Sequence, residues 1–166
     1  MDDSDEQLML RAGTGDRTAC EHLIGRHLSH IVSFTQRTLG NRSDAEEAAQ
    51  EIFLRIWAAA PRWRRETARF STWLYRVAMN VCLDRLAKKR DILSDDPPEP
   101  VDPRPDPSET IHEAEVARHV NAALAGLPET QRIAVTLCHY QGLRNSEAAA
   151  VIGISKIGRA SCRERV

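Results

Sequence analysis

Two stretches of this sequence carry side chains in combinations that do chemistry, and neither chemistry is covalent. In PRWRRETARFSTWLYRVAMNVCLDRLAKKR (61–90) arginines are interleaved with aromatics. Six of the eight aromatic residues of the chain fall between Phe53 and Tyr75. Aromatic faces stack on unpaired bases, typically worth about 1–3 kcal/mol per base, while guanidinium groups track phosphates. Trp73, Arg76 and Asn80 recur at i, i+3, i+7. One helical face would therefore offer a stacking plane, a charge and an amide able to read a base edge, extended by Arg85, Lys88, Lys89 and Arg90. Trp63 lies among arginines at 62, 64 and 65 and is expected to be exposed, ready for single-strand capture. Phe70 and Tyr75 are expected in the core with Leu74, Val77, Ala78, Val81 and Leu86. Upstream, Asp44, Glu47 and Glu51 are also spaced i, i+3, i+7. With Gln50 they line one polar face of a helix whose Ile52, Phe53, Ile56 and Trp57 can face the core. These acids either complement the helix dipole or form a docking face for a basic partner.

The elements that must position these faces read as helices. From Asp5 to Leu39 apolar residues recur at helical spacing, with the stripe Leu23, Ile24, His27, Leu28, Ile31, Val32 and Phe34, which predicts a short helix and then a long one. Ser43 is expected to cap the next helix, with Glu46 completing a capping box. That helix runs to about Ala60 and ends at Pro61. Ser71 or Thr72 is expected to cap another to about Lys89.

Residues 91–107 hold six of the eight prolines of the chain among many acids, a composition that cannot pack a core and reads as an extended linker. Beyond it, Ser108 is expected to cap a helix with Ile111, Val116, Val120 and Leu124 on its apolar side. Pro128 suits the first turn of the next helix. After Gly142, Asn145 is expected to cap Ser146 to Ile152, with Glu147 in its first turn. Gly153 then makes a tight break before Ser155, the outline of a helix-turn-helix. The expected fold is all-α, two small helical units spanning 1–90 and 108–155 across the acidic linker.

The net charge of −1 conceals segregation: ten acids against six bases in 1–61, two against nine in 62–90, and nine against one in 91–117. Polyanion binding belongs where basic density is local, in 62–90. The start, MDDSDEQLML, is acidic where a signal peptide would be basic, and the sequence has no run of eighteen apolar residues. Neither export nor membrane insertion is expected, and the chain is expected to be cytoplasmic. Cys20, Cys82, Cys138 and Cys162 form no CxxC pair and are expected to be buried or idle thiols. His22, His27, His30 and the Cys138–His139 pair raise a metalloenzyme as a remote alternative, without an H-E-x-x-H or converging carboxylates to support it. No cofactor, metal or catalytic group is expected.

DAEEAAQEIFLRIW followed by FSTWLYRVAMNVCLDRLAKKR resembles region 2 of extracytoplasmic-function (ECF) sigma factors of the sigma-70 family, and LAGLPETQRIAVTLCHYQGLRNSEAAAVIGIS resembles the start of their region 4. The ordered pair across a linker is far more specific than either motif alone. The resemblance implies that Asp44, Glu47, Gln50, Glu51 and Leu54 bind the clamp helices of the largest subunit of core RNA polymerase. It implies that Trp63, Arg64, Arg65, Thr72, Trp73, Arg76, Asn80, Arg85, Lys88, Lys89 and Arg90 recognise and open the −10 promoter element and trap a flipped base. It also implies an anti-sigma partner, which no residue identifies. A transcription regulator with a helix-turn-helix output would share the second unit but need neither the arginine-aromatic block nor the acidic helix. Region 4 should continue past Ser155 with a recognition helix, but the chain reads KIGRASCRERV, and Ile157 to Val166 match one translated frame of a widely used sequencing adapter. Residues 156–166 are therefore expected to be a non-native tail. The competing reading is a divergent basic tail, with Arg159, Arg163 and Arg165 on phosphates.

Overall fold

The computed structural model describes residues 3–65, 69–93 and 111–153. Among them are seven α-helices: α1 (Asp5–Gly13), α2 (Arg17–Leu39), α3 (Arg42–Ala59), α4 (Phe70–Leu93), α5 (Ile111–Ala125), α6 (Glu129–Val135) and α7 (Asn145–Ile152). A 3-10 turn (Ala60–Arg62) follows α3, and a π-helical turn (Thr136–Tyr140) extends α6. No strand occurs among the described residues, as the all-α expectation requires.

Each early helix is started by a side-chain oxygen. Ser4 Oγ accepts from the Gln7 N–H at 3.3 Å while Gln7 Oε1 accepts from the Ser4 N–H at 2.8 Å, a reciprocal capping box. Asp16 Oδ1 accepts from the amides of Thr18 and Ala19 at the head of α2. Helix α2 stops at Gly40, which takes φ +76° and donates to Gln36 O, a conformation that costs glycine nothing. That stop moves the next start. Asn41 is the first extended residue after it, and its Oδ1 accepts from Asp44 N at 3.2 Å. Ser43 therefore lies inside α3 and is not its cap. Helix α4 likewise begins at Phe70, whose N–H donates to Glu6 Oε1 of α1 at 3.2 Å, and not at Ser71 or Thr72. Asn145 is the first residue of α7 and not its cap. The Arg144 N–H before it donates to Glu147 Oε2, and Asn145 Oδ1 accepts from the Cys138 thiol at 3.5 Å. The Ser108 cap lies outside the described residues.

Most of the buried residues form one cluster that runs through both groups of helices. Leu8 and Met9 of α1, Ile31 and Phe34 of α2, Ile52 of α3, Leu74 and Val81 of α4, Ile133, Leu137 and Val151 are all essentially inaccessible. Small residues at Ala45, Ala48 and Ala49 let α3 approach α2 closely, and Thr35 of α2 donates its hydroxyl to Ala45 O at 3.1 Å across that seam. The buried stripe of α3 is thus 45, 48, 49, 52 and 56, which turns Trp57 outward. It is 39% exposed, against the expectation that it faces the core. Among the described side chains of α5, Ala114 and Leu124 are buried, and Val116, expected on the apolar side, is 51% exposed.

Gly13 packs where α1 meets the end of α3. A Cβ there would stand 2.6 Å from Ala60 O and 3.0 Å from its carbonyl carbon, backbone atoms that cannot swing away. Gly→Ala normally helps a helix by about 1 kcal/mol. Here overpacking of about 1–3 kcal/mol is expected to win, so Gly13→Ala should lower the thermal melting midpoint; a raised midpoint would contradict this packing. Burial pushes the Cys82 thiol up to about 12 and the Cys20 thiol upward as well, so neither is a competent nucleophile at neutral pH. Brief iodoacetamide treatment of the native chain at pH 8 should therefore label the partly exposed Cys138 well ahead of both. Peptide mass spectrometry reads this, and equal labelling of Cys82 would contradict it.

Candidate nucleic-acid interface

The face expected from the sequence to capture a strand begins with three rings at the start of α4. Trp63, Phe70 and Trp73 have centroids 6.0–6.5 Å apart in tilted and edge-on arrangements, and His27 of α2 closes behind Phe70 at 5.4 Å. Phe70 is 1% exposed and Tyr75 6%, as expected. Trp63 is 5% exposed, so the expectation of an exposed tryptophan at this position is wrong. The 3-10 turn folds its ring inward onto Phe70, where it supports the platform from behind. Trp73 is the ring with an accessible portion, and Arg76 and Asn80 are exposed along the same face. Thr72 is 8% exposed. It packs inward. Arg64 and Arg65 are exposed. Arg65, Arg69 and Ser71 line an open recess of about 460 Å³ with Asp5 and Glu6 of α1. The two acids gave no local signal in the sequence, because the fold brings them from 59–66 residues away.

The basic residues further along α4 do not extend this face as a block. Arg85 lies nine residues after Arg76, about half a helical turn around the axis. It points toward α3, donating from Nε and Nη2 to Glu51 Oε2 at 3.2 and 3.0 Å and from Nη1 to Glu47 Oε2 at 3.4 Å. Lys89 Nζ stands 3.7 Å from Asp44 Oδ2, and Arg90 pairs with Glu129 at 3.4 Å. Of the four, only Lys88 is exposed without an ion pair among the described residues. On α3, Asp44, Glu47 and Glu51 share one face as expected, beside exposed Gln50 and Leu54, the latter 69% exposed. Burial alone would push the Glu51 carboxyl up. Hydrogen bonds from Arg85 and Arg55 outweigh it and hold the group below the usual carboxylate range, while the same carboxylates raise Arg85.

The second group of helices packs on the first. Tyr75 donates its phenol, pushed up to about 12 by burial, to Gln141 Oε1 at 2.8 Å. Gln141 in turn donates to His30 O. Arg132 donates to Thr38 O at 2.9 Å and to two carbonyls at the end of α5. Arg37 sits 3.9 Å over the Tyr140 ring, a cation–π contact. Arg76 Nη2 donates to Ala150 O of α7 at 2.8 Å and Arg69 pairs with Glu147 at 3.6 Å. Helix α7 therefore covers part of the face that carries Trp73, Arg76 and Asn80. In the turn region Asn145 and Ser146 are exposed and Gly153 takes φ +77°. Ser155 lies outside the described residues. Among the described residues no group of three His, Cys, Asp or Glu could hold a metal ion, and His27 Nε2 is instead 2.8 Å from Asp5 Oδ2. No helix among the described residues is long and apolar enough to cross a membrane.

Comparison with known proteins supplies two family-model matches, Sigma-70 region 2 over residues 23–92 and Sigma-70, region 4 over residues 118–156. The chain is 31% identical over 157 residues to the ECF RNA polymerase sigma factor SigE of Mycolicibacterium smegmatis, covering 90% of this chain and 60% of that protein. It is 30% identical over 153 residues to the ECF RNA polymerase sigma factor SigM of Mycobacterium tuberculosis, covering 92% and 76%. Among solved structures it is similar to CnrH in complex with the cytosolic domain of CnrY, with a TM-score of 0.67 and 25% identity over 96% of this chain and 94% of that one.

Proposed function

The chain belongs to the ECF group of the sigma-70 family of RNA polymerase sigma factors, and from that premise we propose a division of labour between α3 and α4. Helix α3 docks on core RNA polymerase, against the clamp helices of the largest subunit, through Asp44, Glu47, Gln50 and Leu54. Helix α4 captures the unpaired −10 strand with Trp73, Arg76 and Asn80, while Arg64 and Arg65 hold phosphates. The observation that carries this reading is the asymmetry of the aromatic cluster. Two rings are buried as support, and Trp73 keeps an accessible portion beside an exposed cation and an exposed amide. Stacking plus phosphate contact holds an extruded base without covalent chemistry.

Strand capture by Arg76 requires it to give up Ala150 O, and Arg69 to give up Glu147, so α7 must part from α4 before DNA enters. A partner that holds the two groups of helices together would silence the protein. The similar CnrH, solved with the cytosolic domain of CnrY, supports the expectation of an anti-sigma partner. A helix-turn-helix regulator that acts without polymerase would account for the region 4 match and leave region 2 unused. Co-purification with core polymerase, followed by binding of the holoenzyme to single-stranded promoter DNA, tests the reading. It requires both to occur, and a chain that binds DNA while ignoring core would overturn it.

A further inference from the structure

We propose that Arg85 and Lys89 are positioning residues for the docking face of α3 and not DNA contacts, an assignment that rests on the docking role given to α3 above. Each acid of the i, i+3, i+7 row meets a base from α4. Glu51 accepts twice from Arg85 on Oε2 and once from Arg55, at 2.6 Å, on Oε1, with both arginines drawn from different helices. Arg55 also reaches Asp84 of α4 at 3.8 Å. With both oxygens occupied and a side chain 35% exposed, Glu51 is the anchor of a bridge between the two helices. Glu47 and Asp44 are held differently. The Glu47 side chain is 65% exposed and takes a single long bond from Arg85, and Asp44 stands 3.7 Å from Lys89. Arg85 and Lys89 thus limit the rotamers of two outward carboxylates without saturating them, which lowers the ordering a partner must impose on binding. The helical phase excludes the alternative use. Arg85 is about half a turn from Arg76 around α4, and Lys89 lies well off the Trp73 face too.

Positioning and competition make opposite predictions. If Arg85 merely competed with a basic partner for the acids, removing it would tighten polymerase binding; if it orients them, removal weakens it. The test measures affinity for immobilised core polymerase and, separately, anisotropy of the free protein on single-stranded DNA across a salt series. Arg85→Met and Glu51→Gln should each lower core affinity about tenfold, and the double variant should fall no further than either, because both break one bridge. Arg85→Lys keeps the charge but cannot span two carboxylates. It should lose core affinity as Arg85→Met does, so the readout does not depend on one variant folding. Single-strand affinity of Arg85→Met should stay within twofold, with an unchanged salt slope. The assignment is overturned by unchanged or tighter core binding, by losses that multiply to about a hundredfold, or by a salt slope shallower by about 0.7, the loss of one phosphate contact. The wild-type chain is measured first. If it fails to bind core, the docking role itself falls, whereas wild-type binding with no loss in the variants overturns only the positioning role.

Discussion

Replacing Trp73 and Arg76 together by alanine is expected to cut run-off transcription from a promoter the wild-type holoenzyme uses by about two orders of magnitude, with core polymerase affinity kept within about twofold. The size follows from what is removed. Loss of a stacking ring costs about 1–3 kcal/mol per base, and loss of a phosphate-tracking guanidinium adds the electrostatic share of one contact. Since each 1.4 kcal/mol is a factor of ten in an equilibrium constant, a combined loss of about 3 kcal/mol gives that range. Neither residue faces α3, so polymerase docking should not feel the change. Trp73 packs on Phe70 and Trp63 at 6.0 and 6.5 Å, so the variant will melt earlier. The control is Trp73→Phe with Arg76 retained, which keeps a ring in the platform and should keep most of the activity. Equal loss of core binding and transcription in the double alanine variant would contradict the assignment of these residues to DNA.

The second large effect is expected from charge reversal on α3. Asp44→Arg with Glu47→Arg should weaken core binding by about a hundredfold or more and reduce transcription to match. Affinity of the free chain for single-stranded DNA should stay the same or rise. Like charges brought together across an interface cost several kcal/mol. The outward carboxylates are the ones held loosely, at 3.4 and 3.7 Å from their basic partners, so they are the ones a partner can share. Reversal at Glu51 is a different experiment. Both its oxygens already bind arginines, and a cation there would face Arg55 and Arg85 at close range, so Glu51→Arg should lower stability and core binding together. Leu54→Ala should give a smaller loss of core affinity, since an apolar side chain buried on docking is worth about 1.5–3 kcal/mol and Leu54 is 69% exposed in the free chain.

Much of this architecture was legible in the residues. The i, i+3, i+4 stripes of α2 and α4 were enough to place both helices, to bury Phe70 and Tyr75 and to set Trp73, Arg76 and Asn80 on one open face. Local pattern failed where the deciding partner was remote. Trp63 has arginines on either side and reads as exposed, yet the turn after α3 lays it on Phe70. Arg85 and Lys89 read as more of the same basic surface, but their phase on the helix turns them to the acids of α3, 34–45 residues earlier in sequence. Ser43 has a good capping signature, but Gly40 ends α2 so tightly that Asn41 takes the cap first. The head of α4 is tied by Glu6, and the seam of α2 with α3 by Thr35 and Ala45 O. Neither contact leaves a trace in local spacing. The cover of α7 over Arg76 is of the same kind, since it depends on how two groups of helices meet and not on either alone.

The central claim is that docking and strand capture reside on separate helices, and a competition assay tests it most directly. Run-off transcription by the wild-type chain is measured with limiting core polymerase and a tenfold excess of one variant. Trp73→Ala with Arg76→Ala should occupy core without opening DNA and suppress wild-type transcription about tenfold. Asp44→Arg with Glu47→Arg should leave it near its starting level, because that variant cannot claim core. Suppression by both variants, or by neither, would contradict the division of labour between α3 and α4.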